Sequence, residues 1–233
     1  MTRLIEKTTE KMTAATAVYQ QLRQDILKGE FKPGQRLQID ALAERYDVGT
    51  NPVREALNRL SSERLVDRHD QRGFFVPPIS LDGLRELVKT RCWLETIAVQ
   101  ESIAHRDQAW EENLVLAYHR LSRTSWSLHS DEQAGRPVGN PEWEQRHRAF
   151  HLALIANCGS RWLIGFCEDL MYQAERYRYI AVSSTYPNRI TNDEHRGIME
   201  AAIDGDAALA VQRLKDHYQL TLMIIENQIQ AVN

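Results

Sequence analysis

Along the first third of the chain, apolar residues recur at helical intervals broken by turns. Val18, Leu22, Ile26 and Leu27 predict one helix, Ile39, Leu42, Ala43 and Tyr46 a second, and Val53, Leu57 and Leu60 a third. Lys32-Pro33-Gly34-Gln35 and Asp47-Val48-Gly49 separate them. The third helix is expected to start with Thr50 or Asn51 as N-cap and Pro52 at its first position, where a missing N–H costs nothing. Leu65–Arg68 and Gly73–Val76 then read as two short strands joined by the polar turn His69–Arg72.

A double proline, Pro77-Pro78, closes this pattern, and Ser80 caps a new helical one beginning at Leu81. Leu84, Leu87, Val88, Cys92, Leu94 and Ile97 continue it, and helical spacing then persists nearly to the C-terminus. The spacing predicts about six helices, over residues 80–106, 107–130, 141–157, 160–182, 191–204 and 206–231. Breaks fall at Asp131 to Pro141, Ser183 to Asn192 and Asp204-Gly205-Asp206. The expected fold is mainly α: an N-terminal winged helix-turn-helix over 14–78 after a flexible N-terminus, 1–13, then a C-terminal all-helical bundle over 79–233.

Three helices followed by a two-stranded wing form a DNA-binding arrangement. In the third helix Val53, Leu57 and Leu60 point inward, which leaves Thr50, Asn51, Arg54 and Asn58 as donors for phosphates and base edges. A salt bridge to a nearby carboxylate is the alternative for Arg54. Charge supports two roles: the net −3 divides into +2 for residues 1–78 and −5 for the remainder. The chain carries no apolar run long enough to cross a bilayer, and Glu6 and Glu10 interrupt any signal-like start, so a cytoplasmic location is expected. Cys92, Cys158 and Cys167 lack CxxC spacing and are expected to be buried free thiols.

The stretch from Tyr19 to Ser80 resembles the N-terminal domain of the GntR family of bacterial transcription regulators. The resemblance rests on the Lys28–Gly34 turn, Leu42-Ala43-Glu44-Arg45, Pro52-Val53-Arg54-Glu55-Ala56-Leu57 and Arg72-Gly73. It implies that the third helix enters the major groove of a double-stranded operator while Arg72 and Gly73 approach the minor groove; Arg36 joins this DNA-facing set. Members commonly have Ser-Arg-Thr-Pro before the third helix. Here Gly49-Thr50-Asn51-Pro52 stands there, so the usual arginine is absent and Arg54 is the arginine that remains.

The second region holds a pattern of histidines. His147 and His151 are four apart, which sets two imidazoles one helical turn apart on one face. His195 lies 10 residues before Gly205 and His217 12 after it, so on antiparallel helices at about 1.5 Å per residue the two should face each other. Two such pairs make a bundle-core metal site plausible, the alternative being hydrogen-bonded core histidines. His69, His105, His119 and His129 lack such partners and are read as solvated.

Residues 81–231 are similar to the FCD ligand-binding domain of the FadR subfamily, through Arg91-Cys92-Trp93-Leu94-Glu95, Phe150-His151, Glu194-His195-Arg196 and Gly205-Asp206 leading to His217. Many such domains bind a divalent metal through Asp-x-x-x-His and two later histidines. The resemblance therefore implies His151, His195 and His217 as ligands, with His147 in the aspartate's place. Four neutral imidazoles would leave an ion its +2 charge and suit Zn²⁺, Ni²⁺ or Cu²⁺, with Zn or Ni expected. The family also places an arginine at Arg91 in the effector cavity, where a small organic acid would match its planar fork; Glu95, four residues on, is the competing partner. Arg176 and Tyr179 are weaker candidates for the cavity wall.

The spacing His147-Arg148-Ala149-Phe150-His151 also invites comparison with the HExxH metalloprotease motif. Arg148 stands where that chemistry needs a glutamate, so hydrolysis is not expected. The reading is a homodimeric, metal-containing, effector-responsive regulator, with a constitutive dimeric DNA-binding protein as the alternative.

Overall fold

The computed structural model describes residues 12–128, 138–185 and 191–232, and the chain divides into two compact units, residues 1–78 and 79–233. Most of the expected flexible N-terminus lies outside the described residues, as does His129.

In the first unit α1 (Ala14–Leu27) is capped by Thr13, whose hydroxyl accepts the Thr16 N–H at 3.2 Å. Its buried row of Val18, Leu22 and Ile26 packs against α3 (Thr50–Ser62), which buries Val53, Ala56, Leu57 and Leu60 at the i, i+3, i+4, i+7 positions of one face. The shorter α2 (Ile39–Arg45) packs on α3 through its buried Leu42 and Ala43. A tyrosine locks the pair of longer helices: the Tyr19 hydroxyl donates to the Glu63 carboxylate at 2.8 Å while Arg59 lies over the Tyr19 ring.

Two details differ from the sequence pattern. The N-cap of α3 is Gly49, one residue earlier than expected, and it contributes no side-chain cap. Pro52 consequently stands third in the helix, which it tolerates because first-turn N–H groups have no intrahelical partner. The wing is also a three-stranded antiparallel sheet: β1 (Arg36–Leu37) joins β2 (Asp67–His69) and β3 (Gly73–Phe75) in the order β1-β3-β2. Leu65 and Val66, expected in a strand, are buried core residues ahead of it. The turn between β2 and β3 places Gln71 and Gly73 at φ 61° and 95°, which glycine adopts freely and glutamine only under constraint.

The second unit contains, among the described residues, six helices and a short hairpin. α4 (Leu81–Ala104) begins at the Ser80 cap, and α5 (Gln108–Ser122) at Asp107, whose carboxylate accepts the Trp110 N–H at 2.7 Å. α5 ends well before residue 130, because β4 (Ser127–Leu128) pairs with β5 (Val138–Gly139). α6 (Pro141–Leu154) starts with an Asn140 cap and a first-turn proline, and α7 (Arg161–Thr185), α8 (Thr191–Ile203) and α9 (Ala207–Val232) complete the bundle. Gly205, at φ 81°, lets the chain reverse between α8 and α9. α4 packs on α7 and α9, α8 on α9, and α5 on α6 and α8. Ile103, Leu114, Phe150, Leu154 and Ile198 fill the centre, with Cys158 and Cys167 buried and Cys92 half-buried.

Candidate metal centre and DNA-facing surface

Three helices bring four histidines together. His147 and His151 lie one turn apart on the inner face of α6, His195 comes from α8 and His217 from α9. All four are buried, and one potential ligand atom from each lies within 4.8 Å of the others. The expected facing of His195 and His217 is seen as ring centroids 4.6 Å apart. His69, His105 and His119 are exposed, as read from the sequence.

Burial, more than any neighbouring charge, holds the His147 imidazole well below the usual histidine range, with Arg178 pushing the same way. Burial does the same to His151, supported by His217. Both rings are therefore neutral near pH 7, the form that offers a lone pair to a metal. The Nε2 atoms of His147 and His151 are 3.2 Å apart. Neighbouring nitrogens at zinc-ligand distance around a tetrahedral ion would be separated by about 3.3 Å, so this pair fits an ion without moving. His217 Nδ1 donates to Glu194 Oε2 at 2.7 Å, which leaves its Nε2 as the ligating atom. The donor set suits a divalent transition metal, and its four ligand atoms gather within 4.8 Å of one another.

Beside the cluster is a cavity of about 20 Å³ lined by Arg91, Trp143, His147, Arg178, His217 and Tyr218 together with smaller side chains of α4, α7 and α9. That is room for one water or ion. Both arginines are held by internal carboxylates: Arg91 Nε donates to Glu95 at 2.8 Å, and Arg178 pairs with Glu144 through Nε at 3.1 Å and Nη2 at 2.6 Å. Arg91 thus stands on the expected cavity wall and also has the partner that the alternative reading named. On α7 the cavity arginine is Arg178 and not Arg176. Arg178 follows the lining residue Ala174 by one turn, whereas Arg176, although buried, is about 200° around the helix from Arg178 and lines no part of this cavity. The side chain of Tyr179 lies outside the described residues. Arg178, Glu144, Glu194 and Tyr218 were given no site role from the sequence; one-turn spacing from His147 would have found Glu144.

In the first unit Thr50, Asn51, Arg54 and Asn58 are all exposed on α3, above the buried Val53 and Leu57 row. Arg54 and Asn58 share a concave surface with Arg36 of β1, Arg68 of β2 and Gly73 of β3. Arg36 lies in ordinary van der Waals range, 3.7 Å, of where a Cβ on Gly73 would lie, so it is the positive φ and not crowding that favours glycine there. Arg72, Thr50 and Asn51 are exposed but do not line this concavity. The concavity gathers arginines from three elements, which can donate to a phosphate backbone, with the carboxylates of Asp40 and Asp70 on the same lining. Arg68, the third of them, was not marked from the sequence.

Comparison with known proteins places both units. Residues 14–76 match the family described as bacterial regulatory proteins, gntR family, and residues 86–220 match the FCD domain. The chain is 39% identical over 211 residues to the HTH-type transcriptional regulator BphR of Paraburkholderia xenovorans, covering 90% of this chain and 84% of that one. It is 32% identical over 212 residues to the HTH-type transcriptional repressor GlaR of Escherichia coli, covering 89% and 94%. Among solved structures, E. coli McbR/YncC superposes with a TM-score of 0.72 at 22% identity, over 94% of this chain and 100% of that one, a likeness of fold. The matched families and relatives are transcriptional regulators, not enzymes.

Proposed function

The chain belongs to the GntR family of DNA-binding transcriptional regulators, with an FCD domain as its second unit, and from that premise we propose that it is a metal-containing, effector-responsive repressor acting as a homodimer. The observation that carries the proposal is the convergence of four buried histidines beside a cavity walled by Arg91 and Arg178. His147, His151, His195 and His217 hold the ion, Zn²⁺ or Ni²⁺ by the preference of imidazole ligands. A divalent ion held there supplies positive charge and Lewis acidity to the cavity.

The chain's own residues do the rest. Arg91 and Arg178 attract a small organic acid and orient its carboxylate through planar N–H forks, in competition with Glu95 and Glu144. Because the cavity has room for about one water, the acid enters only with a local rearrangement of these pairs. Thr50, Asn51, Arg54 and Asn58 meet the operator's major groove, and Arg36, Arg72 and Gly73 the backbone and minor groove at the wing. Homodimerisation matches one winged helix to each half-site. It is supported by apolar surface left on the second unit, where Trp93 and Ile97 on α4 and Trp162 and Phe166 on α7 are exposed one turn apart. Repression as the direction of control follows the relative GlaR, a repressor. An effector alters operator affinity only by the difference in its affinity for the DNA-competent and DNA-incompetent states.

The test is elemental analysis of tag-free protein beside the His151→Ala/His195→Ala double variant, followed by operator binding with a panel of small carboxylates. Near-stoichiometric transition metal lost in a folded double variant, and a carboxylate that weakens operator binding, are the expected results. Metal-free parent that takes up no added Zn²⁺ or Ni²⁺ would overturn the sensor reading and leave a constitutive dimeric DNA-binding protein.

A further inference from the structure

One buried hydroxyl has three partners around it. The Tyr218 oxygen on α9 lies 2.8 Å from Arg91 Nη2 and 3.1 Å from His151 Nδ1, and it donates a short hydrogen bond to Glu95 Oε2. All four residues are buried, which removes them from bulk water.

The protons can be assigned by counting. A phenol has one O–H to give and two lone pairs to receive. Arg91 can only donate, so it takes one lone pair; Glu95, ion-paired with Arg91 at 2.8 Å, can only accept, so it takes the phenol's proton. The one remaining capacity of the oxygen is a lone pair, and His151 can use it only by donating from Nδ1. His151 therefore carries its proton on Nδ1 and its lone pair on Nε2, the atom 3.2 Å from His147 Nε2.

From this chain of forced choices we infer that Tyr218 is a positioning residue: its hydroxyl, set by Glu95 and Arg91, fixes His151 in the tautomer that presents Nε2 to the histidine cluster. Glu194 does the same for His217, so two ligands are oriented by two different outer groups. The arrangement also places Arg91 and a metal ligand on the same oxygen, which joins the wall of the cavity to the metal site by two hydrogen bonds. The inference rests on the metal reading for its purpose, but the tautomer stands on the hydrogen bonds alone.

The decisive variant is Glu95→Gln. A glutamine can keep its carbonyl on Arg91 and turn its amide N–H toward the phenol; both phenol lone pairs are then filled and its proton turns to His151, which must accept it on Nδ1. Full-length, metal-free protein labelled with ¹⁵N-histidine reports the two ring nitrogens by NMR, with the His151 signals assigned by their loss in His151→Asn. The expected result is an Nδ1–H tautomer in the parent and an Nε2–H tautomer in Glu95→Gln. Zn²⁺ titration against a competing chromogenic chelator should then show about 10- to 100-fold weaker binding in Glu95→Gln and in Tyr218→Phe, with helical circular dichroism retained. An Nε2–H signal in the parent overturns the inference whether or not either variant folds. Unchanged Zn²⁺ affinity in a folded Tyr218→Phe overturns the positioning role while leaving the metal site intact. A parent that shows the Nδ1–H tautomer but binds no Zn²⁺ overturns the positioning role together with the metal reading, and leaves the proton assignment standing.

Discussion

The two units carry their polar chemistry at opposite depths. On α3, Thr50, Asn51, Arg54 and Asn58 are exposed, and the helix is anchored by the apolar row beneath them. In the bundle, His147, His151, His195, His217 and the two cavity arginines are buried, with Arg91 tied to Glu95, Arg178 to Glu144, His217 to Glu194 and His151 to Tyr218. A surface that reads DNA needs only a rigid support, since water satisfies its side chains until the operator arrives. A buried cluster has no such reserve, so a donor or acceptor left unmatched there costs free energy unless a bound ion or partner group takes it up.

That contrast can be broken by substitutions expected to affect one unit alone. On the proposed reading, the largest effect is expected of the His151→Ala/His195→Ala double variant, which should carry none of the metal found in the parent by elemental analysis while retaining operator affinity in the absence of effector. Leu57→Ala should remove about 2–5 kcal/mol from the first unit, a large share of a small domain's stability, read as an early urea transition with metal content unchanged. Arg54→Ala should weaken operator binding by about 1–3 kcal/mol if the guanidinium reads a guanine, measured by fluorescence anisotropy, again with full metal occupancy. Glu194→Gln should lower metal affinity by about 10- to 100-fold without altering the DNA side. Ser80→Ala, which removes only the cap on Gly83 N–H, should cost about 1 kcal/mol and leave both sites unchanged. Equal losses of metal and DNA binding from either the histidine or the Arg54 change would collapse the division.

The same contrast explains what was legible in the sequence. Long amphipathic helices announce themselves by periodicity, and Pro77-Pro78 marks the junction by its local chemistry, so the order of elements and the two-part organisation could be read directly. The two-residue strand Arg36–Leu37 has no period to detect, and the two-residue strands β4 and β5 are defined by pairing between Leu128 and Val138 and between Ser127 and Gly139. The histidines were found because their spacings survive in one dimension. Arg178 was missed in favour of Arg176 because the phase of α7 is set by its packing against α4 and α9, which no residue of α7 declares alone. Tyr218 adjoins His217 in sequence, yet its meaning comes from Arg91 and Glu95, more than 120 positions away.

The size of the cavity finally bears on time. A space of about 20 Å³ cannot admit an organic acid until paired groups part, so on the proposed reading association is paced by that opening and not by diffusion. Observed binding rates should then level off as effector concentration rises, and the same barrier should lengthen the bound lifetime. Such a regulator averages over brief fluctuations in its ligand and answers only to a concentration that lasts.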